Sequence, residues 1–132
     1  MLQKYGKGII GSSACIAGII PKLLDNNQFD EALEWAHKLA SCFDPGDFYI
    51  ELQNQGIMTD AGLTQTQLNH QLTKLAQAAG LKTIATNDFP YLTREDARAK
   101  DILLSHGPGR HSTDATRQRI ENTQFYLQNK DE

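Results

Sequence analysis

Three short apolar runs, spaced by two amphipathic segments of helical length, constrain this chain more than any other feature. The runs are Gly8–Ser12, Phe48–Leu52 and Leu81–Ala85. The last two are rich in β-branched or aromatic residues, which suit a pleated, half-buried surface. Between the runs, Phe29, Leu33, Ala36, Ala40 and Phe43 fall on one face at helical spacing. So do Leu68, Leu72, Leu75 and Ala79. The first helix is expected over Asp30–Phe43, ended by Asp44-Pro45-Gly46. The second opens on the capping pattern Thr64 to Gln67 and stops at Gly80. A shorter helix is expected over Ile19–Leu24, and a polar loop over Gln53–Leu63. Strands that alternate with helices are joined by long crossovers, and these connect parallel neighbours in a right-handed sense. The expected fold is therefore α/β, an open, mostly parallel sheet of three or four strands flanked by helices. After the third strand, Thr93 and Asp96 suit the start of a helix reaching Leu104. Phe125–Leu127 suits a last strand, and residues 105–132 otherwise read as an irregular tail around Gly107-Pro108-Gly109.

Composition narrows the function classes. A chain of 132 residues with 39% hydrophobic content suits one domain, taken as residues 1–132. A formal charge of -3 argues against a broad phosphate-binding surface, so direct nucleic-acid binding is not expected. No apolar run is long enough to span a membrane, and Leu2–Lys7 is not a signal peptide. Cys15 and Cys42 do not make a disulfide framework, and a cytoplasmic location is the simplest expectation.

Chemistry in parallel α/β folds collects where strands end. The third run ends in Thr86, Asn87 and Asp88, and the first leads to Ser13-Ala14-Cys15. A thiolate and a carboxylate on one rim could share a divalent metal. Each residue also has a plainer reading. Cys15 is equally a small buried hydrophobe, and Asn87 and Asp88 are equally turn residues ahead of Pro90. Glu51 is a further candidate whose facing the strand alternation leaves open. His37 and His70 fall off the apolar stripes and read as surface residues. His106 and His111 read as a solvated loop shared with Arg110, Arg117 and Arg119. Trp35 reads as packing or an interface anchor.

Four motifs occur in order at suitable spacing: Ser13-Ala-Cys-Ile-Ala-Gly18, Phe48-Tyr-Ile-Glu-Leu-Gln-Asn54, Ala85-Thr-Asn-Asp-Phe-Pro-Tyr91 and Gln124-Phe-Tyr-Leu127. Together they resemble the PHP (polymerase and histidinol phosphatase) domain of bacterial DNA polymerase III alpha subunits, over the C-terminal half of that domain. The resemblance implies part of a distorted (β/α) barrel. It also implies that Cys15 and Asp88 stand at positions that help hold a metal cluster. It exposes a departure, because the family's histidine two residues after the aspartate is Pro90 here, and proline offers a metal no donor atom. Gln55 likewise stands where many relatives carry histidine. The family's His-x-His motif and its later His and Glu ligands have no counterpart. Cys15 and Asp88 are therefore expected to be vestigial, with no cofactor bound and Zn or Mn as the alternative.

Three functions follow from the resemblance. The first is a partial PHP domain of a replicative polymerase, whose parent activity is DNA-directed DNA synthesis, non-catalytic alone and with a degenerate metal site. The second is a metal-dependent phosphoesterase completed by another chain, and the third a protein-binding module. Pro90 opposes the enzyme. Half a barrel would leave sheet edges and apolar side chains open, so a homodimer or a partner protein covering that surface is expected.

Overall fold

The computed structural model describes residues 1–88 together with Leu92, Thr93, Asp96 and Ile102. The chain divides into two compact units, Met1–Thr86 and Asn87–Glu132. The first unit runs α1 (Leu2–Tyr5), β1 (Gly11–Ser12), α2 (Ile19–Asp25), α3 (Phe29–Ala40), β2 (Phe48–Leu52), α4 (Gln65–Ala79) and β3 (Lys82–Ala85). Its sheet has the order β1-β2-β3, and both pairings are parallel. The α/β architecture expected from the alternating pattern is thus present.

The core forms between the sheet and three helices. Phe48 and Ile50 of β2 are buried with Ile20 and Leu24 of α2, Ala32 and Ala36 of α3, and Leu68, Leu72, Leu75 and Ala76 of α4. Removing these apolar side chains from water is what drives the layers together. The helix α4 is specified almost wholly by local chemistry. The Thr64 hydroxyl accepts the Gln67 N–H at 3.2 Å, and the Gln67 side-chain carbonyl accepts the Thr64 N–H at 2.9 Å. Two amides with no intrahelical partner are satisfied in this way. At the far end Gly80 takes the left-handed conformation, with φ 67°, which a side chain would disfavour.

Several expectations are corrected. The helix α3 turns the expected face inward, with Ala36 buried and Leu33, Ala40 and Phe43 packed against the core, but Phe29 is 37% exposed and Ala32 is buried in its place. Alanines let α3 lie close to its neighbours, while Phe29, the first residue of the helix, is left outside. The strand β1 begins at Gly11, not Gly8. The preceding residues instead form a turn, in which Ile9 N–H donates to the Gly6 carbonyl at 3.2 Å. Gly8 N–H donates to the Asp44 carboxylate at 2.9 Å. The strand β3, whose run suited a half-buried surface, is exposed at all four positions. Among the described residues it has β2 as its one strand neighbour, so an apolar run alone did not bury it. The loop Gln53–Leu63, read only as polar, is tightly organised, with Gln55 and Thr59 buried. The Asp25 carboxylate accepts from the Thr59 hydroxyl and, at 3.1 Å, from the Ala61 N–H.

In the second unit, Thr93 N–H donates to the Asp96 carboxylate at 3.0 Å, and Asp96 N–H to the Thr93 carbonyl at 3.1 Å. Those bonds match the expected helix start. The rest of that helix, the strand expected over 125–127 and the tail over 105–132 lie outside the described residues. Among the described residues, no helix is long and apolar enough to cross a membrane.

Candidate functional site

Polar residues gather where the three strands end. Ser13 N–H donates to the Tyr49 carbonyl at 3.0 Å, continuing the β1–β2 ladder past the last residue of β1. The next rung is made by a side chain, since the Ser13 hydroxyl accepts the Glu51 N–H at 2.9 Å. On the other side of β2, Thr86 N–H donates to the Leu52 carbonyl at 3.0 Å. The register pairs Ser12 with Tyr49 and Glu51 with Ile84, so the Glu51 side chain reaches Ser12 and Thr86 diagonally across the sheet.

Glu51 is the hub of this rim. The Ser12 hydroxyl donates to its Oε2 at 2.5 Å. The Thr86 hydroxyl donates to its Oε1, and Gln53 Nε2 reaches the same oxygen at 3.3 Å. Gln53 Nε2 also lies 3.3 Å from the Thr86 hydroxyl oxygen. The strand alternation left Glu51 unassigned. Its side chain is half-buried and joins β1, β2 and the residue after β3.

Cys15 sits beside this cluster. It follows Ala14, which has φ 62°, and begins a turn in which Gly18 N–H donates to the Cys15 carbonyl at 2.7 Å. The reading of Cys15 as a buried hydrophobe is corrected, because the residue is exposed. The turn carries it to the open end of the sheet rather than into the core. Cys15, Glu51, Gln53, Gln65 and Asn69 line a small cavity of about 10 Å³, the lower limit for holding one water.

Asp88, the other expected ligand, is exposed and belongs to the second unit, so the two candidates are described separately. His37 and His70 are exposed, as expected. Trp35 packs partly against the core, with the Lys38 ammonium 4.5 Å from its ring centre. Gln55 is a buried loop residue whose backbone N–H donates to the Gln65 side chain at 2.6 Å. The positions His106, His111, Arg110, Arg117 and Arg119 lie outside the described residues.

Both Glu51 oxygens accept from hydroxyl donors. Among the described residues, no three His, Cys, Asp or Glu side chains come together to hold an ion. Sequence reasoning missed Ser12 and Gln53 as rim residues. For Ser12 the signal was the Gly-Ser-Ser sequence ending the first apolar run.

A parallel sheet with a polar rim at its strand ends defines an α/β domain. Residues 1–55 match the PHP domain family. The chain is similar along nearly its whole length to bacterial DNA polymerase III alpha subunits. It is 37% identical over 134 residues to the DNA polymerase III subunit alpha of Borreliella burgdorferi, covering 99% of this chain and 11% of that relative. The subunit of Treponema pallidum is 32% identical over 127 residues, covering 96% of this chain and 10% of the relative. That of Helicobacter pylori is 32% identical over 142 residues, covering 100% and 11%. The chain spans about a tenth of the length of the curated relatives it matches.

Proposed function

We propose that this chain serves as a scaffolding part of the PHP domain of a bacterial replicative DNA polymerase III alpha subunit, working in DNA synthesis without catalysing a reaction itself. The observation that carries this reading is the 37% identity sustained over 99% of the chain to a protein of that name. The rim supports the non-catalytic half of the proposal. Metal-assisted hydrolysis needs a cation that activates water and clamps the phosphate. Glu51, the carboxylate at the centre of the rim, is instead engaged by Ser12 and Thr86. Cys15 and Asp88 are vestigial in this reading, and a cytoplasmic location accompanies it.

Elemental analysis of the purified, dialysed protein tests the proposal. Zn, Mn and Fe are expected well below stoichiometry, with no metal-dependent phosphoesterase or exonuclease turnover. Stoichiometric metal that disappears in Asp88→Ala or Cys15→Ala would overturn the vestigial site. Turnover that survives repurification and is abolished by Cys15→Ala would restore the alternative of a phosphoesterase.

A surface for a partner belongs to the same proposal. Ile9, Ile10 and Ile84 are 51%, 70% and 41% exposed. Each outer strand has one neighbour among the described residues. Unpaired edges and exposed apolar side chains favour cover by another chain, and a second copy is the commonest symmetric solution.

A further inference from the structure

We propose that Glu51 is an anionic clamp that holds the three strand ends together, so that the rim is closed by hydrogen bonds and needs no cation. The inference rests on the reading of the metal site as degenerate and goes beyond it by assigning the rim carboxylate a task. Three observations carry it. Oε2 takes the Ser12 hydroxyl from the end of β1, and Oε1 takes the Thr86 hydroxyl from the residue after β3. Gln53 bridges Oε1 and Thr86. The Glu51 backbone is itself fixed to β1 by the Ser13 hydroxyl.

The strands need such a device because their own pairing is short. Only Gly11 and Ser12 of β1 pair with β2, at Phe48 and Tyr49. The strand β3 is exposed throughout, so burial does little to hold its end. Hydrogen bonds to an ionised acceptor are about twice as strong as neutral ones. A carboxylate with a hydroxyl donor on each oxygen therefore ties both outer strands to β2. Oε1 already takes two donors, the Thr86 hydroxyl and Gln53 Nε2, which fills the acceptor sites of that oxygen.

Amide hydrogen exchange on the full chain, followed residue by residue, tests the clamp. The reporters are the N–H groups of Ser13 and Thr86, which bond to Tyr49 and Leu52, with Leu72 in α4 as the control. Glu51→Ala is expected to speed exchange at both reporters about tenfold, as suits loss of bonds to a charged group, and to leave Leu72 unchanged. Ser12→Ala should act on Ser13 and Thr86→Val on Thr86, and Glu51→Ala should add little once both are in place. If Glu51→Ala does not fold, Glu51→Gln, which keeps one carbonyl acceptor, should show the same pattern at smaller size. Unchanged reporters, or equal acceleration at Leu72, would overturn the clamp. Millimolar Mn²⁺ or Zn²⁺ is expected to change nothing in the unsubstituted protein. Slowing by metal that is lost in Glu51→Ala would make Glu51 a ligand and overturn the clamp. Slowing that persists in Glu51→Ala but is lost in Cys15→Ala would instead defeat the degenerate-site reading and leave the clamp standing.

Discussion

Gln65 shows how much one side chain can organise. It is 4% exposed, and its carbonyl oxygen accepts N–H groups from Gln55 at 2.6 Å and Ile57 at 3.2 Å. Two loop amides thus find a partner without any regular ladder. Gln65→Leu keeps the volume and leaves both donors unmet, at about 1–3 kcal/mol for each one buried. Urea unfolding is expected to show a loss of about 2 kcal/mol or more. Gly6 illustrates the opposite constraint, where absence of a side chain matters. A Cβ there would meet the Cys42 carbonyl oxygen at 1.9 Å. That oxygen is backbone just beyond α3 and cannot swing aside. Gly6→Ala should therefore cost about 1–3 kcal/mol, as overpacking does, read as a lower midpoint with an unchanged slope. Neither role was legible beforehand. No pattern in the sequence singled out either residue. Both depend on contacts made by chain distant in sequence.

The elements differ in how far their own residues specify them. The helix α4 carries its start, stripe and stop within its own sequence. Thr64→Ala should cost about 1 kcal/mol, while Thr64→Ser should recover most of it; thermal unfolding of the two variants checks this. The strand β2 was likewise legible as an element from its aromatic and β-branched residues, though its alternation left the facing of Glu51 open. The helix α3 was located and turned largely as expected, since Leu33, Ala36, Ala40 and Phe43 meet the core; only its first residue, Phe29, lies outside, and Ala32 is buried instead. The shortness of β1 was invisible, because a run of isoleucines reads as a strand whether or not a partner lies beside it. Here Ile9 and Ile10 lie outside the ladder, and a serine hydroxyl supplies the rung that backbone would otherwise make.

At the scale of the whole molecule, the exposed outer strands bear on assembly. Light scattering at micromolar concentration is expected to give a dimer, and Ile10→Lys, placing a charge on the exposed apolar lead to β1, is expected to weaken it. A monodisperse monomer across that range would end the proposal of a second copy. The sequence by itself determined the α/β class, the parallel order and the resemblance to a family. These rest on periodicity, caps, stops and ordered motifs, all of which act or can be read over short stretches of chain. It also marked Pro90 as a departure, because a ring without a donor atom cannot be a ligand in any fold. Only the tertiary structure decided that β3 is exposed, that Cys15 faces outward and that Glu51 is held between Ser12 and Thr86. Those outcomes depend on which residues become neighbours when strands from distant parts of the chain pair. Burial and hydrogen bonding are properties of that neighbourhood rather than of the residue itself.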